Sequence, residues 1–376
     1  MIKLGGMLMI GSTGCNTGKT RLACEFFQNF SKTHNIVGIK VTPITDKDGQ
    51  HPPSGNCKVR SSLDGAYLVI EETNPHSKKD TARFLYAGAS RVFWLRVFKE
   101  RLQEGLKALL DVVGPDAISI CESNLLRHVV EPGLFLMVAG SETSKWKNSA
   151  LELQEHTDRM VFSENGKFDF DYSQVRILDG RWALQEKATV IVMAGGASQR
   201  MGIDKSMLPM NGQSIIENIC EQLHGSFQQI LISANDTDKF AFLGYEVIQD
   251  RLPGQGPLMG IASALAASAN ELNFIVACDI PHIRLPFIRK MLSLAARSNA
   301  DIVVPMSRDG LCEPLYAVYR KSVLDVMNEA LSRDRRKLSD VFARCQVEYV
   351  ELKASLPNLN TIFEYQQFQK QLTHYT

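Results

Sequence analysis

The chain has 376 residues, 44% hydrophobic and 22% charged, with a formal net charge of +1 at pH 7. That length suits two ordinary domains, each able to bury a core of its own. The near-neutral balance excludes a global field that would gather nucleic acid or an anionic membrane, so an acidic or phosphorylated ligand must be held by local groups. The longest apolar stretches, such as Gly133 to Gly140, fall far short of the roughly 18–20 residues of a membrane helix. Lys3 and the short run Met7–Ile10 lack the length and cleavage pattern of a signal peptide. Eight cysteines are scattered without a CxxC pair. Free thiols and a cytoplasmic location are therefore expected.

In chain order, Met7–Ile10 predicts a first strand. It leads into Gly11-Ser-Thr-Gly14-Cys-Asn-Thr-Gly18-Lys19-Thr20 and then into the helical pattern Arg21–Phe30. Strand, glycine-rich turn, Gly-Lys-Thr and helix in this order read as a phosphate-binding P-loop. Gly14 and Gly18 free the backbone, Lys19 meets the outer phosphates, and Thr20 offers its hydroxyl to Mg²⁺. Strict P-loop spacing wants its first glycine at 13, where Thr13 stands with Gly11 and Gly14 on either side. His51 and Cys57 flank the Pro52-Pro53 turn without paired ligand spacing, so a loop is expected there rather than zinc. The apolar run Ala117–Cys121 ends in Glu122, which either reaches Mg²⁺ or begins a helix. Ser141–Gly180 is polar and mixed, with few long apolar runs. The domain boundary is placed near Trp182–Lys187, giving domains 1–182 and 187–376.

The second half opens as the first does. Strand-length apolar stretches recur at Thr189–Met193, Gln229–Ser233, Glu246–Gln249, Phe274–Cys278 and Asp301–Val304. Helical patterns lie between them at about Ser214–Leu223, Leu258–Ala269 and Pro286–Ser298. Such alternation predicts a mostly parallel sheet covered by helices on both faces, with ligands beyond the C-terminal strand ends. Directly after its first strand comes Met193-Ala194-Gly195-Gly196-Ala-Ser-Gln-Arg200-Met-Gly202-Ile-Asp-Lys205. Glycines 195, 196 and 202 let the backbone approach a triphosphate, with their N–H groups free to face phosphate oxygens. Arg200 and Lys205 add positive charge. Asp279, following a strand, is a hard carboxylate suited to Mg²⁺, or else opens a turn and caps the next helix. Asp250 offers acceptors to a base or ribose, or else is a solvated turn residue before Pro253.

The glycine loop resembles the signature of the molybdenum cofactor guanylyltransferases, within the wider group of sugar-nucleotide-type pyrophosphorylases. Further landmarks follow in the family's order. The segment Asp250 to Gly260, with Gly256 at its centre, resembles a stretch that lies along the bound nucleotide. Cys278-Asp279-Ile280-Pro281 is similar to the family's metal-binding turn. Glu313-Pro314-Leu315-Tyr316 resembles the stretch leading to the acceptor region, and Asn358-Leu359-Asn360-Thr361 the late Asn-x-Asn-Thr element, which adds Asn360 to the metal site. Asn235 stands where the family often has an asparagine near the nucleoside. The resemblance covers Ala188 to Gln369. The basic run Arg333–Lys337 stands where the family has basic residues before its last strand. Here Asp334 interrupts it, and it either faces an anionic acceptor or is a solvated helix face.

In the first half, Lys79-Asp80-Thr81-Ala82-Arg83 and Ala87-Gly88-Ala89 resemble a segment of the molybdopterin-guanine dinucleotide biosynthesis adaptor proteins. Those are P-loop GTP binders that associate with the guanylyltransferase. The resemblances imply a fusion of a P-loop NTPase-like α/β domain and a Rossmann-like nucleotidyltransferase domain. They imply transfer of GMP from GTP to molybdopterin, with or without molybdenum, assisted by Mg²⁺, in a chain with no nucleic acid or membrane partner. Arg200, Lys205 and Asp279 would carry the chemistry, and molybdoenzyme apoproteins or their chaperones would receive the product. A cytidylyltransferase, another nucleotidyltransferase with a sugar or alcohol acceptor, and a GTP-regulated cofactor carrier without catalysis are the competing readings. The Ala194-Gly195-Gly196 run resembles the guanylyl branch.

Overall fold

The computed structural model describes residues 1–14, 16–44, 59–61, 65–140, 146–164, 166–195, 204–353, 355–359 and 361–373. The chain divides into two units, Met1–Leu184 and Gln185–Thr376.

In the first unit β1 (Ile2–Ser12) runs into α1 (Lys19–Phe30), followed by β2 (Val37–Pro43), β3 (Val59–Ser61), β4 (Tyr67–Glu72), α2 (Asp80–Tyr86) and β5 (Arg91–Val97). Next come α3 (Leu102–Val113), β6 (Ser119–Glu122), β7 (Val130–Ala139), α4 (Asn148–Leu151), β8 (Arg159–Glu164) and β9 (Lys167–Phe168). They form one sheet in the order β3-β4-β5-β2-β6-β1-β7-β8-β9. The six strands from β5 to β8 are mutually parallel, whereas β3, β4 and β9 pair antiparallel at the margins.

Alternation along β1 sorts its side chains between two layers. Leu8 and Ile10 pack with Leu22, Phe26 and Phe27 of α1 and Phe84 of α2. Met7 and Met9 face Leu102, Leu106 and Leu109 of α3. The stretch Ser141–Gly180, read from sequence as polar and mixed, supplies β8 and β9 to the sheet. It also supplies β10 (Val175–Leu178), which forms a hairpin with β11 (Arg181–Leu184). Val161 is fully buried while its neighbours along β8 are half-covered, so this strand carries little apolar signal.

The second unit begins with β12 (Glu186–Met193), the small pair β13 (Pro209–Met210) and β14 (Gln213–Ser214), α5 (Ile215–Leu223), β15 (Phe227–Ser233), α6 (Thr237–Phe240) and β16 (Glu246–Ile248). It continues through α7 (Pro257–Ala267), β17 (Leu272–Ala277), α8 (Leu285–Arg297), β18 (Ile302–Met306) and β19 (Tyr316–Arg320). It ends with α9 (Val323–Ser332), α10 (Leu338–Phe342), β20 (Val347–Glu351) and α11 (Ile362–Thr373). The sheet order is β16-β15-β12-β17-β19-β18-β20. Strands β16, β15, β12 and β17 are parallel, β19 runs against both β17 and β18, and β20 is parallel to β18.

Val190 and Val192 of β12 face the layer of α5 and α8, and Ile191 and Met193 face α7 and α9. Eight residues of α7 are buried, so this helix is apolar around most of its girth. Sequence periodicity identified β12, β15, β16, β17, β18, α5, α7 and α8, and missed the short β13, β14 and α6 as well as β19, α9, α10, β20 and α11. Among the described residues no helix is long and apolar enough to cross a membrane.

Candidate functional site

Register builds the site of the second unit. Met193 at the end of β12 lies opposite Ser233 of β15 on one side and Ala277 of β17 on the other. Ser233 in turn lies opposite Ile248 of β16. Four parallel strands therefore finish at one rim, and the residues just beyond them, Ala194-Gly195, Asn235, Asp250 and Asp279, are brought together there.

The backbone amides of Ala194 and Gly195 both donate to the Ser233 carbonyl at 2.9 Å. This corrects the expectation that the Gly195 N–H is free to face phosphate: the sharp turn off β12 uses it internally. A Cβ at Gly195 would make only ordinary contact, 3.5 Å from the Ser233 carbonyl oxygen, so packing inside the chain does not demand glycine there. Gly196, Arg200 and Gly202 lie outside the described residues.

Asp250 is not a free turn residue. Asn235 Nδ2 donates to Asp250 Oδ2 at 3.0 Å, and the Asp250 amide donates to Asn235 Oδ1 at 2.9 Å. This reciprocal pair fixes both side chains at the rim. It is supported from below by Gly260 of α7, where an added Cβ would stand 3.3 Å from Asp250 Oδ1. Gly256, at the N-cap of α7, has φ 77° and ψ −173°, a conformation that only glycine adopts readily. Pro257 then begins the helix with its fixed φ.

Asp279 follows β17 and does not cap α8, whose N-cap is Arg284. Its carboxylate lies 3.9 Å from Lys205 Nζ, both side chains being mostly covered (24% and 17% exposed). Burial raises the Asp279 carboxyl above its ordinary value, and the Lys205 ammonium partly opposes this. Glu313, ahead of β19, is likewise pushed up by burial and by the charge of Asp279. Two carboxylates and one ammonium thus share this corner. Leu359 N–H donates to the Asp279 carbonyl at 2.8 Å, tying the late Asn-x-Asn-Thr element to the same turn. Asn360 lies outside the described residues, and among those described Asn358 Oδ1 is buried with no hydrogen-bond partner.

Sequence reasoning gave no role to Glu313 as a charge, to Asp204 or to Lys239. Asp204 caps the turn Lys205–Met207 by accepting from the Ser206 amide at 2.9 Å, and Lys239 of α6 ion-pairs with it. The only signal for Asp204 was its place beside Lys205. The run Arg333–Lys337 is a turn between α9 and α10 rather than a helix face, with Asp334 at φ 53°. Arg333 pairs with Glu329 and Arg336 with Asp334.

In the first unit Gly18, at φ 99°, is the N-cap of α1, and Lys19 and Thr20 are its first residues. Glu122 ends β6 instead of beginning a helix, and its Oε2 accepts from Thr20 Oγ1 at 2.7 Å. Gly14 sits in the loop, where its carbonyl accepts from Ser12 Oγ at 2.8 Å. Asn124 clamps the loop's start, accepting from the Ser12 amide at 2.8 Å and donating to the Ser12 carbonyl at 2.9 Å. Among the described residues Thr17 Oγ1 is buried and has no hydrogen-bond partner. The His51 and Cys57 loop lies outside the described residues.

Among the described residues no three His, Cys, Asp or Glu side chains gather to hold a metal by themselves.

The model of the MobA-like NTP transferase domain matches residues 190–349. A probable molybdenum cofactor guanylyltransferase of Carboxydothermus hydrogenoformans is 36% identical over 174 residues, covering 46% of this chain and 86% of the relative. Another, of Natranaerobius thermophilus, is 33% identical over 202 residues, covering 50% of this chain and 98% of the relative. The crystal structure of molybdopterin-guanine dinucleotide biosynthesis protein A from Archaeoglobus fulgidus is 23% identical, with a TM-score of 0.45, and covers 50% of this chain and 99% of its own. The second unit is a nucleotidyltransferase, and through it the chain belongs to the molybdenum cofactor guanylyltransferase family.

Proposed function

We propose that the second unit transfers GMP from GTP to the terminal phosphate of molybdopterin, while the first unit is a P-loop accessory domain with its own nucleotide. The observation that carries the transferase reading is the Lys205–Asp279 pair at the rim where β12 and β17 end, 3.9 Å apart and mostly covered. The names of the relatives supply the guanylyl donor and the pterin acceptor.

A phosphate oxygen of the acceptor attacks the α-phosphorus in line. The bond from that phosphorus to the bridging oxygen breaks, and pyrophosphate leaves with the electron pair. Such a displacement asks for positioning and charge neutralisation rather than a protein nucleophile. Lys205 neutralises the triphosphate, and Arg200 adds to it. Asp250, oriented by Asn235, accepts from the base or ribose. Met193 to Gly196 cradle the nucleotide, with the space that a Cβ at 195 would fill left for it. Asp279 is the carboxylate that would hold Mg²⁺, with Asn360 nearby in sequence to Leu359. When bound, the ion supplies charge neutralisation on phosphate oxygens.

In the first unit, Gly18, Lys19 and Thr20 at the head of α1 support a phosphate site, with Thr20 and Glu122 as the groups that would hold Mg²⁺ there. The Thr17 hydroxyl, buried and without a hydrogen-bond partner among the described residues, is a further support.

Pyrophosphate release is measured with each of the four nucleoside triphosphates, with and without molybdopterin. Release is expected with GTP and only in the presence of the acceptor. Asp279→Asn is expected to lower it by about 100-fold or more while the fold survives. Comparable kcat/KM for CTP removes the guanylyl assignment, because a site that pairs one base's polar edge rejects others whose groups leave it unpaired. Near-normal turnover of Asp279→Asn removes that residue from the site.

A further inference from the structure

Beside the loop of the first unit lies a lysine that the phosphate reading does not use. Lys40 of β2 stands in register opposite Glu122 of β6, so both side chains reach the rim where α1 begins. Lys40 Nζ is 3.4 Å from Glu122 Oε1 and makes a close ion pair with Asp80, the first residue of α2. Its side chain is 16% exposed and that of Glu122 6%. The other oxygen of Glu122 is occupied by the Thr20 hydroxyl. Arg83 Nη1 lies 3.6 Å from the second oxygen of Asp80.

An ammonium is costly to cover, and Lys40 meets that cost by pairing with two carboxylates at the rim beside the loop. Glu122 is positioned by Thr20, and Asp80 has Arg83 beside it. A phosphate held at Lys19 and Thr20 would place negative charge within reach of the Lys40 ammonium, and a Mg²⁺ beside Glu122 would compete with Lys40 for that carboxylate. The outermost phosphate is the part of a nucleotide that differs between the triphosphate and diphosphate forms.

We infer that Lys40 is a further phosphate-contacting residue of the first unit, selecting nucleoside triphosphates over diphosphates, and that Asp80 holds it in reserve. This rests on the reading of the loop as a nucleotide site.

The test uses the full chain carrying Lys205→Ala, so that binding at the second unit is weakened. It is titrated calorimetrically with GTPγS, GDP, ATPγS and ADP in Mg²⁺, and binding lost on adding Lys19→Ala defines the first unit's site. Lys40→Met is expected to lower the preference for triphosphate over diphosphate by about tenfold or more, the loss of one charge-assisted contact. Lys40→Arg should retain part of that preference, and Asp80→Asn, which frees the ammonium, should increase it. Equal weakening of both forms by Lys40→Met, with the ratio unchanged, would show that Lys40 only neutralises Glu122 and overturns the assignment. If no binding depends on Lys19, the nucleotide reading of the loop fails, and this assignment falls with it.

Discussion

Gly260→Ala puts a number on how tightly the rim of the second unit is built. In an exposed helix interior this substitution gains about 1 kcal/mol. Here the added Cβ would stand 2.9 Å from Met193 Cε, 2.9 Å from Ser233 Oγ and 3.3 Å from Asp250 Oδ1. Carbon contacts relax at about 3.5–4.0 Å, so the two shortest must open by roughly half an ångström or more. The Met193 methyl can swing aside. Ser233 is 2% exposed on β15, and Asp250 is held at two points by Asn235, so neither yields freely. Overpacking of this kind costs about 1–3 kcal/mol, which outweighs the helical gain and leaves a net loss of about 1 kcal/mol. If displaced Asp250 loses one hydrogen bond to the nucleotide, the Kd for GTP rises about 2- to 13-fold.

All three tryptophans, Trp94, Trp146 and Trp182, lie in the first unit, so their fluorescence would miss the change. Hydrogen exchange of the α7 and β12 amides is the suitable assay, with an expected loss of protection of about fivefold. Calorimetry measures the Kd. Increased protection in α7 together with unchanged GTP affinity would refute the argument that helix, strand and Asp250 are packed against one another through this glycine.

Two stability predictions concern the same unit. Ser214→Ala breaks the capping box of α5, in which the Glu217 amide donates to Ser214 Oγ and Glu217 Oε2 accepts from the Ser214 amide at 2.7 Å. A loss of about 1 kcal/mol, or about 2–4 °C in Tm, is expected by calorimetry. The Ser214 hydroxyl and amide hold the Glu217 carboxyl below its ordinary value. This stabilisation is present above the unfolded pKa and lost as pH falls through the folded one, so the gap between the two proteins should narrow in acid to the share of the Glu217 amide bond; a gap constant down to strongly acidic pH would refute the carboxylate's part in the cap. Arg289→Met removes the guanidinium that pairs with the buried Glu186 carboxylate, 3.2 Å from Arg289 Nε with side chains 7% and 4% exposed, and should cost about 3–5 kcal/mol. Glu186→Leu in the same chain should recover most of that loss, and equal damage in single and double variants would contradict it.

The chemical residues were easier to read than their partnerships. Apolar runs such as Thr189–Met193 and Phe274–Cys278 betray buried parallel strands, and Asp279 follows one of them directly. The Asn235–Asp250 pair joins positions 15 residues apart through the register of β15 with β16, and the Thr20–Glu122 bond spans 102 residues. No local pattern encodes either. Strand β19 was invisible for a related reason: Tyr316–Arg320 is only five residues long and reverses direction within an otherwise parallel neighbourhood. Glu313 was legible as part of a family-like string, while its electrostatic tie to Asp279 depends on that reversed strand bringing the preceding loop to the rim.

The hydrogen bond from Leu359 N–H to the Asp279 carbonyl also sets a schedule. At synthesis rates of about 5–20 residues per second, the 80 residues added from Asp279 to reach Leu359 (359 − 279) take about 4–16 s to translate. Strands β12, β15 and β17 can pair as they emerge, but the Asp279 turn stays without its last backbone partner until Leu359 has left the ribosome. The nascent second unit therefore passes through a period with its sheet largely laid down and the turn that carries Asp279 unfinished, a state that lasts until almost all of the unit has been made.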